Sequence, residues 1–451
     1  MFDILALLQC LLPLISVTTM RQLNRIIIAM LAMNGRVTML GISRWIEIGG
    51  SYRTVYRLFH TVVPWATVFW LFFREHLFRE NEVYLLAGDE VIVTKAGKQT
   101  YGLERFFSSL YNKPVSGLSF FTLSLVSIQR RHSYPIRVEQ VIKTEAVCGD
   151  SPISNKAQQS SSKSKQKRGR GRPKGSKNKN KAEVTLTSEL LLIKSMVVGL
   201  FQLMAGKINL TYLLLDGHFG NHNALQMARQ TGLHLISKLR CDSALYLPYQ
   251  NPNPERRSRR KYGDKLDYKN IPAKHLCSSC ISENLQTNIY QIQLLHKEFS
   301  CPLNVVIVVK TNLNTQACSH VILFSSDLEL SYEQLIDYYK LRFQIEFNFR
   351  DAKQFWGLED FMNLTQTAVT NAANLSLFMV NVSHHLLADF RTSNPNCGIL
   401  DLKAYCQGFQ YVYETIKMLP QKPEPILLGK IFRKLTSFGR IHPTKPYPSA
   451  S

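Results

Sequence analysis

Acidic residues are scarce: 32 Asp and Glu stand against 55 Lys and Arg, leaving a formal net charge of +23 at pH 7. A cytosolic metabolic enzyme has no need of such an excess, which points instead to a polyanionic partner, with nucleic acid ahead of an anionic membrane. A regular, even-numbered set of cysteines is missing too. Nine cysteines at irregular spacings argue against a secreted disulfide framework and suit a reducing compartment. Long apolar runs are absent: the stretch from Val62 to Phe73 is short for a bilayer span and contains Pro64 and Thr67. The opening MFDILALLQCLLPLISV lacks a basic n-region and a small-residue cleavage pattern, and Asp3 and Gln9 interrupt it, so it reads as a buried helix rather than an export signal. No membrane partner is expected.

The chain has 451 residues, 45% of them hydrophobic, which suggests two or three domains with a sizeable interior. Residues 1–78 show helical spacing and read as a helical domain. Within it, a helix, a Gly49-Gly50 break and Ser51 as N-cap lead into a second helix displaying Arg53, Tyr56 and Arg57 together. This fits a helix-turn-helix presented to DNA, or a helical hairpin with a solvated basic face. VYLLAGDEVIV, GLSFFTLSLVSI and INLTYLLLDGHFG read as buried strands, the first carrying Asp89 and the last running into Asp216. Residues 222–236 then read as a helix with Ala224, Met227, Ala228 and Leu233 inward, an α/β succession.

Between the strand block and Asp216 lies a low-complexity segment, about 150–184, predicted to be a disordered loop. From Lys156 to Lys181 it holds eleven Lys or Arg and no acid. Its Arg170-Gly171-Arg172-Pro173 core has the form of an AT-hook: glycine lets the backbone lie flat in a narrow minor groove, proline fixes an extended course, and the arginines seek its negative potential. The plainer reading is a polybasic tether that adds sequence-blind affinity. Residues 240–318 read as a β-rich insertion, and residues 367–451 as a helical C-terminal region. Cys277 and Cys280, with Cys301, Cys318 and His320 downstream, lack the second pair that a zinc ribbon requires.

The chemistry centres on residues 331–357, expected to form one long helix, with Ser331 and Gln334 as a capping box and Gly357 near its end. On such a helix Tyr339, Arg342, Glu346 and Lys353 project at about 0°, −60°, −20° and −40°. They share one face, flanked by Phe343 and Phe347, which are expected to cover it in part, while Asp351 falls on the other side as a surface acid. A compensated surface stripe would look the same. Two-metal phosphoryl chemistry, however, needs about three converging carboxylates. Asp89, Asp216 and Glu346 supply them only if the fold brings distant segments together.

The combination is distinctive. Tyr339, Arg342, Glu346 and Lys353, at intervals of three, four and seven, follow two Asp-bearing strands. They resemble the Y-R-E-K signature of DDE transposases from bacterial insertion sequences, the family numbered four. LLAGDEVIVTKAGK and YLLLDGHFGN are similar to that family's two aspartate motifs, and the resemblance spans about residues 80–365. It implies an RNase H-like α/β core, in two parts at 79–239 and 319–366, interrupted by the β-rich insertion and preceded by a helical DNA-end-binding domain. It also implies that Asp89, Asp216 and Glu346 are catalytic and bind two Mg²⁺ or Mn²⁺ ions, and that Tyr339, Arg342 and Lys353 grip phosphates of DNA. The implied partners are double-stranded DNA, both the element's inverted-repeat ends and the target, and a second copy of the chain in a homodimeric synaptic complex. The implied location is the bacterial cytoplasm, at the nucleoid.

Two departures stand out. Asp89 is followed by Glu90-Val91 where many relatives have Asp-Thr, which makes Glu90 a rival ligand. The insertion has no tryptophan to stack a flipped base, leaving Tyr246, Tyr249 or Tyr262 for that task. Two other readings remain open at this stage: a catalytically silent, element-derived DNA-binding protein, or another RNase H-like nuclease.

Overall fold

The computed structural model describes residues 2–46, 51–108, 112–142, 184–250 and 260–442. The AT-hook-like Arg170, Gly171, Arg172 and Pro173, and the Gly49-Gly50 break, lie outside the described residues. In chain order the elements are α1 (Ile4–Leu7), α2 (Val17–Ala32), α3 (Met39–Ser43), α4 (Tyr52–Phe59), α5 (Trp65–Phe72), β1 (Tyr84–Thr94), β2 (Glu104–Ser108), β3 (Lys113–Ser127), β4 (His132–Val141), α6 (Ser188–Met204), β5 (Tyr212–Leu214), α7 (His222–Gln230) and β6 (His234–Leu239). They continue with β7 (Leu245–Pro248), β8 (Tyr262–Lys265), β9 (Leu276–Ser282), β10 (Leu285–His296), β11 (Leu303–Asn312), β12 (Cys318–Ser325), α8 (Tyr332–Arg342), α9 (Gln344–Phe355), α10 (Gln366–Ser393), α11 (Ile399–Met418) and α12 (Pro425–Leu435).

Among the described residues the strands form one mixed sheet in the order β2-β3-β1-β5-β6-β12-β11-β10-β7-β8, with β4 pairing to β3 and β9 to β10. The β1 strand runs antiparallel to β3 over its whole length and parallel to β5, which in turn runs parallel to β6. From β12 onward every pairing is antiparallel, as a chain that folds back by hairpins must produce. The middle of the sheet is covered on both faces. That explains why β1 and β3 read as continuous apolar runs instead of alternating ones.

Alternation along β1 decides which residue meets which layer. Leu85 and Ala87 join Leu214, Ile236 and Leu323 in a cluster roofed by Leu335 and Leu341 of α8. Leu86 faces the other way, into the main core with Leu213, Leu215 and the buried face of α6. That main core also takes in α2, α5 and α10, so the N-terminal and C-terminal helices are packed into a single hydrophobic interior.

Three local expectations give way. The helix foreseen over 222–236 ends at Gln230, because Gly232 adopts φ +78° and turns the chain into β6. The opening segment is a short α1 followed by a 3₁₀ turn (Leu8–Leu11), burying Ile4, Leu8 and Leu11 but leaving Leu5 and Leu12 exposed. Ser51 stands at the N-cap of α4 without a side-chain cap bond. Among the described residues, no helix is long and apolar enough to cross a membrane.

Candidate active site

Register brings the two strand aspartates together. Ala87 pairs with Leu214 across the parallel β1 and β5, and the same offset of 127 residues (214 − 87, 216 − 89) relates Asp89 to Asp216 two positions further on. By alternation both follow Ala87 and Leu214 onto the face roofed by α8. At Asp216 the strand has just ended, and its carboxylate accepts the His218 N–H at 3.1 Å to start a 3₁₀ turn (Gly217–Phe219). Gly220 closes that turn; a Cβ there would lie 2.1 Å from the Lys238 carbonyl oxygen, so only glycine lets the chain pass this close to β6.

The helical part departs from one straight rod. The helix expected over 331–357 is two helices meeting at Phe343, where the Phe343 N–H bonds to Lys340 O and the Glu346 N–H to Phe343 O in tight three-residue steps. Phe343 and Phe347, expected to cover the stripe, are exposed at 48% and 37%, their rings edge to face at 5.4 Å. Asp351, expected at the surface, is buried and bonded by Arg350; burial raises its pKa. The break at Phe343 changes the rotation of α9 relative to α8, which a single projection could not anticipate.

Arg342 ties the site together. Its Nη1 lies 2.6 Å from Asp89 Oδ2 and its Nη2 3.3 Å from Glu346 Oε1, while its guanidinium sits 5.8 Å from the centre of the Tyr339 ring. Burial pushes the Asp89 carboxyl up to about 6; Arg342 and the Glu90 N–H hold it down, and repulsion from Asp216 and Glu346 adds to the rise. Burial works against the charge on Arg342, yet Asp89, Tyr339, Glu346 and Asp216 together raise its pKa. Tyr339 is raised chiefly by burial, with Asp216 and Asp89 adding to it. The three acids, the guanidinium and the phenol therefore lie within one electrostatic neighbourhood.

Lys353 is placed further along. Its Nζ donates to the Ile92 carbonyl at 3.0 Å and pairs with Glu359 at 2.8 Å, pinning α9 to β1 three residues beyond Asp89. Glu90 points to the opposite face, where Ser119 donates to it. Its neighbours there include Glu189, whose pKa is raised mainly by burial and further by Glu90 and Asp216, and which lies 3.7 Å from His218. Arg53 and Arg57 are exposed on α4 beside Tyr56, which stacks on His60 at 3.8 Å. In the insertion Tyr246 and Tyr262 meet edge to face, and Arg260 lies over Tyr249. Cys277 and Cys280 are free and exposed.

One residue escaped the sequence reading. Thr122 pairs directly with Asp89 across β1 and β3, so its side chain shares that face; its hydroxyl is fully buried and has no hydrogen-bond partner among the described residues. Only strand register could have revealed it. Three carboxylates and an orphaned hydroxyl supply the all-oxygen donors that hard divalent cations take, so they fit such an ion in donor chemistry, though not in spacing while Arg342 stands between Asp89 and Glu346. Arg342 lies between Asp89 and Glu346, and among the described residues no three His, Cys, Asp or Glu side chains are gathered closely enough to hold a metal.

Residues 10–296 match a family model described as DDE superfamily endonuclease, a span that contains Asp89 and Asp216 and ends before Glu346. No curated protein matches the chain.

Proposed function

Since the chain belongs to the DDE superfamily endonucleases, we propose that it is a DNA transposase that cleaves the ends of its own insertion sequence and joins them to target DNA. The observation that carries this reading is the meeting of Asp89, Arg342 and Glu346, from a strand and two helices more than 250 residues further along the sequence, with Asp216 two residues past the end of the neighbouring β5. A sheet with β4-β3-β1 antiparallel and β1-β5-β6 parallel, carrying one Asp on β1 and another just past the end of the adjacent β5, accords with the RNase H-like core that the Y-R-E-K resemblance implies.

In this reading Asp89, Asp216 and Glu346 hold two divalent cations, Mg²⁺ or Mn²⁺. Such ions, when bound, make an attacking oxygen more acidic and neutralise charge on the phosphate in an in-line displacement. The chain's own residues do the rest. Arg342 has a planar fork that can pass from carboxylates to phosphate oxygens, and Tyr339 beside it offers a phenolic donor. Lys353 holds α9 at the correct height on β1 and contributes positive charge along the DNA path. The Thr122 hydroxyl, buried opposite Asp89 and without a partner among the described residues, is a donor available to an oxygen brought beside that carboxylate. Exposed Arg53 and Arg57, together with the AT-hook-like segment, supply salt-sensitive contacts to duplex DNA, and two chains hold two ends in a homodimeric complex.

The test incubates the full-length protein with Mn²⁺ or Mg²⁺ and duplex DNA carrying the sequences that flank its gene. Cleavage to a 3′-hydroxyl end, followed by joining to a second duplex, is expected. Cleavage that survives Asp89→Ala, Asp216→Ala or Glu346→Ala would overturn the assignment.

A further inference from the structure

A cleft of about 950 Å³ opens at the far end of β1, lined by Arg36, Lys95, Lys113, Thr100 and Ser116 together with the segment that follows α9. We infer that this cleft seats the sugar-phosphate backbone of the DNA substrate about six base pairs from the cut; the inference rests on the proposed cleavage reaction at Asp89.

The position of the cleft follows from three rungs that link β1 and the residue after it to α9 and the segment after it, which run alongside each other. Glu346 meets Asp89 through Arg342, Lys353 meets Ile92, and Glu359 and Phe361 meet Lys95, whose Nζ donates to their carbonyl oxygens at 2.9 and 2.7 Å. Lys95, the residue after β1, lies six positions beyond Asp89, about 20 Å at ~3.3 Å per residue. Duplex DNA advances about 3.4 Å per base pair, so a backbone leaving the carboxylates along β1 reaches the cleft after about six.

The charge suits a phosphate chain. Arg36, Lys95, Lys113 and Lys353 stand along this path against Glu359 and Asp360. Both acids are already engaged: Glu359 by Lys353, and Asp360 by the Val37 N–H at 3.0 Å and, more distantly, by Arg36 at 3.7 Å. Lys95 is half-buried and bonds only neutral carbonyls, with its ammonium 3.7 Å from the centre of the Phe361 ring. Arg36 and Lys113 are exposed and point no charge into the core. The hydroxyls of Thr94, Thr100 and Ser116 stand beside them, donors of the kind that bind phosphate oxygens without reading sequence.

The experiment measures binding of full-length protein to duplex DNA by fluorescence anisotropy in Ca²⁺, over a series of salt concentrations, with the double variant Arg36→Gln, Lys113→Gln. Two duplexes are compared, one extending about 12 base pairs on both sides of the cut and one trimmed to about 3. On the long duplex the variant should bind at least about tenfold more weakly, with the slope of log K against log salt reduced by about 2. On the trimmed duplex the variant and the parent should agree within about twofold. Equal losses on both duplexes, or no loss on the long one, overturn the inference. Parent protein that cleaves in Mn²⁺ while the variant binds normally sinks the cleft alone. Parent protein that neither binds nor cleaves sinks the transposase reading, and the cleft with it.

Discussion

The guanidinium of Arg342 spans Asp89 and Glu346, 2.6 Å from one and 3.3 Å from the other, and so joins the first strand of the sheet to a helix that follows it by some 250 residues. An arginine in this position holds the carboxylates near one another and at the same time competes for their oxygens.

Replacing Arg342 with alanine removes the charge that holds the Asp89 carboxyl down. DNA cleavage should fall by at least about a hundredfold in kcat/KM. Arg342→Lys should recover little of it, because a single ammonium cannot address two carboxylates or two phosphate oxygens as a planar fork does. A lysine variant with parental kcat/KM would remove Arg342 from the site.

Glu90 is adjacent to Asp89 in sequence but lies on the other face of the sheet, bonded to Ser119. Glu90→Gln should therefore retain cleavage within about threefold, whereas Asp89→Asn should abolish it. Titration with Mn²⁺, followed by calorimetry, should separate the two in the same direction. Equal loss of metal binding in both variants would reassign the ligand.

Gly357 sits at φ +77° just past α9, and a Cβ there would lie 2.4 Å from Val37 Cβ. Gly357→Ala combines a left-handed backbone with overpacking and should cost about 2–4 kcal/mol, read from urea unfolding. A loss under about 0.5 kcal/mol would mean that the loop after α2 yields freely.

His132 and His384 face each other between β4 and α10, with ring nitrogens 2.8 Å apart. Burial pushes His132 down to about 4, with Arg130 and Arg391 adding to the shift, and lowers His384 well below its ordinary value, with His132, Arg391 and Arg130 adding. The folded state thus resists protons that the unfolded chain accepts near pH 6.5. This stability is complete above about pH 6.5 and is lost as pH falls from there towards about 4. Thermal unfolding should show a Tm that declines below pH 6.5, with a flatter decline in His132→Gln, His384→Gln. An unchanged slope in that variant would assign the acid sensitivity elsewhere.

Chemical type and local periodicity were legible in the residues themselves. The apolar run around Asp89 suits a strand of a sheet covered on both faces, and the interval from Leu214 to Asp216 ends one because Gly220 lets the chain turn close against β6. The intervals among Tyr339, Arg342, Glu346 and Lys353 likewise marked out a helical stripe. What linear spacing does not carry is rotation and register. The break at Phe343 accompanies a change of partners, α8 packing chiefly over β12 and β6 and α9 chiefly over β4, and it exposes Phe343 and Phe347 and buries Asp351. The parallel pairing of β1 with β5, which sets Asp216 level with Asp89, and the antiparallel pairing with β3, which places Thr122 opposite it, are long-range hydrogen-bond alignments. A shift of one residue in either would send these side chains to the other face, so the sequence determined which groups were available and the tertiary structure decided which of them meet.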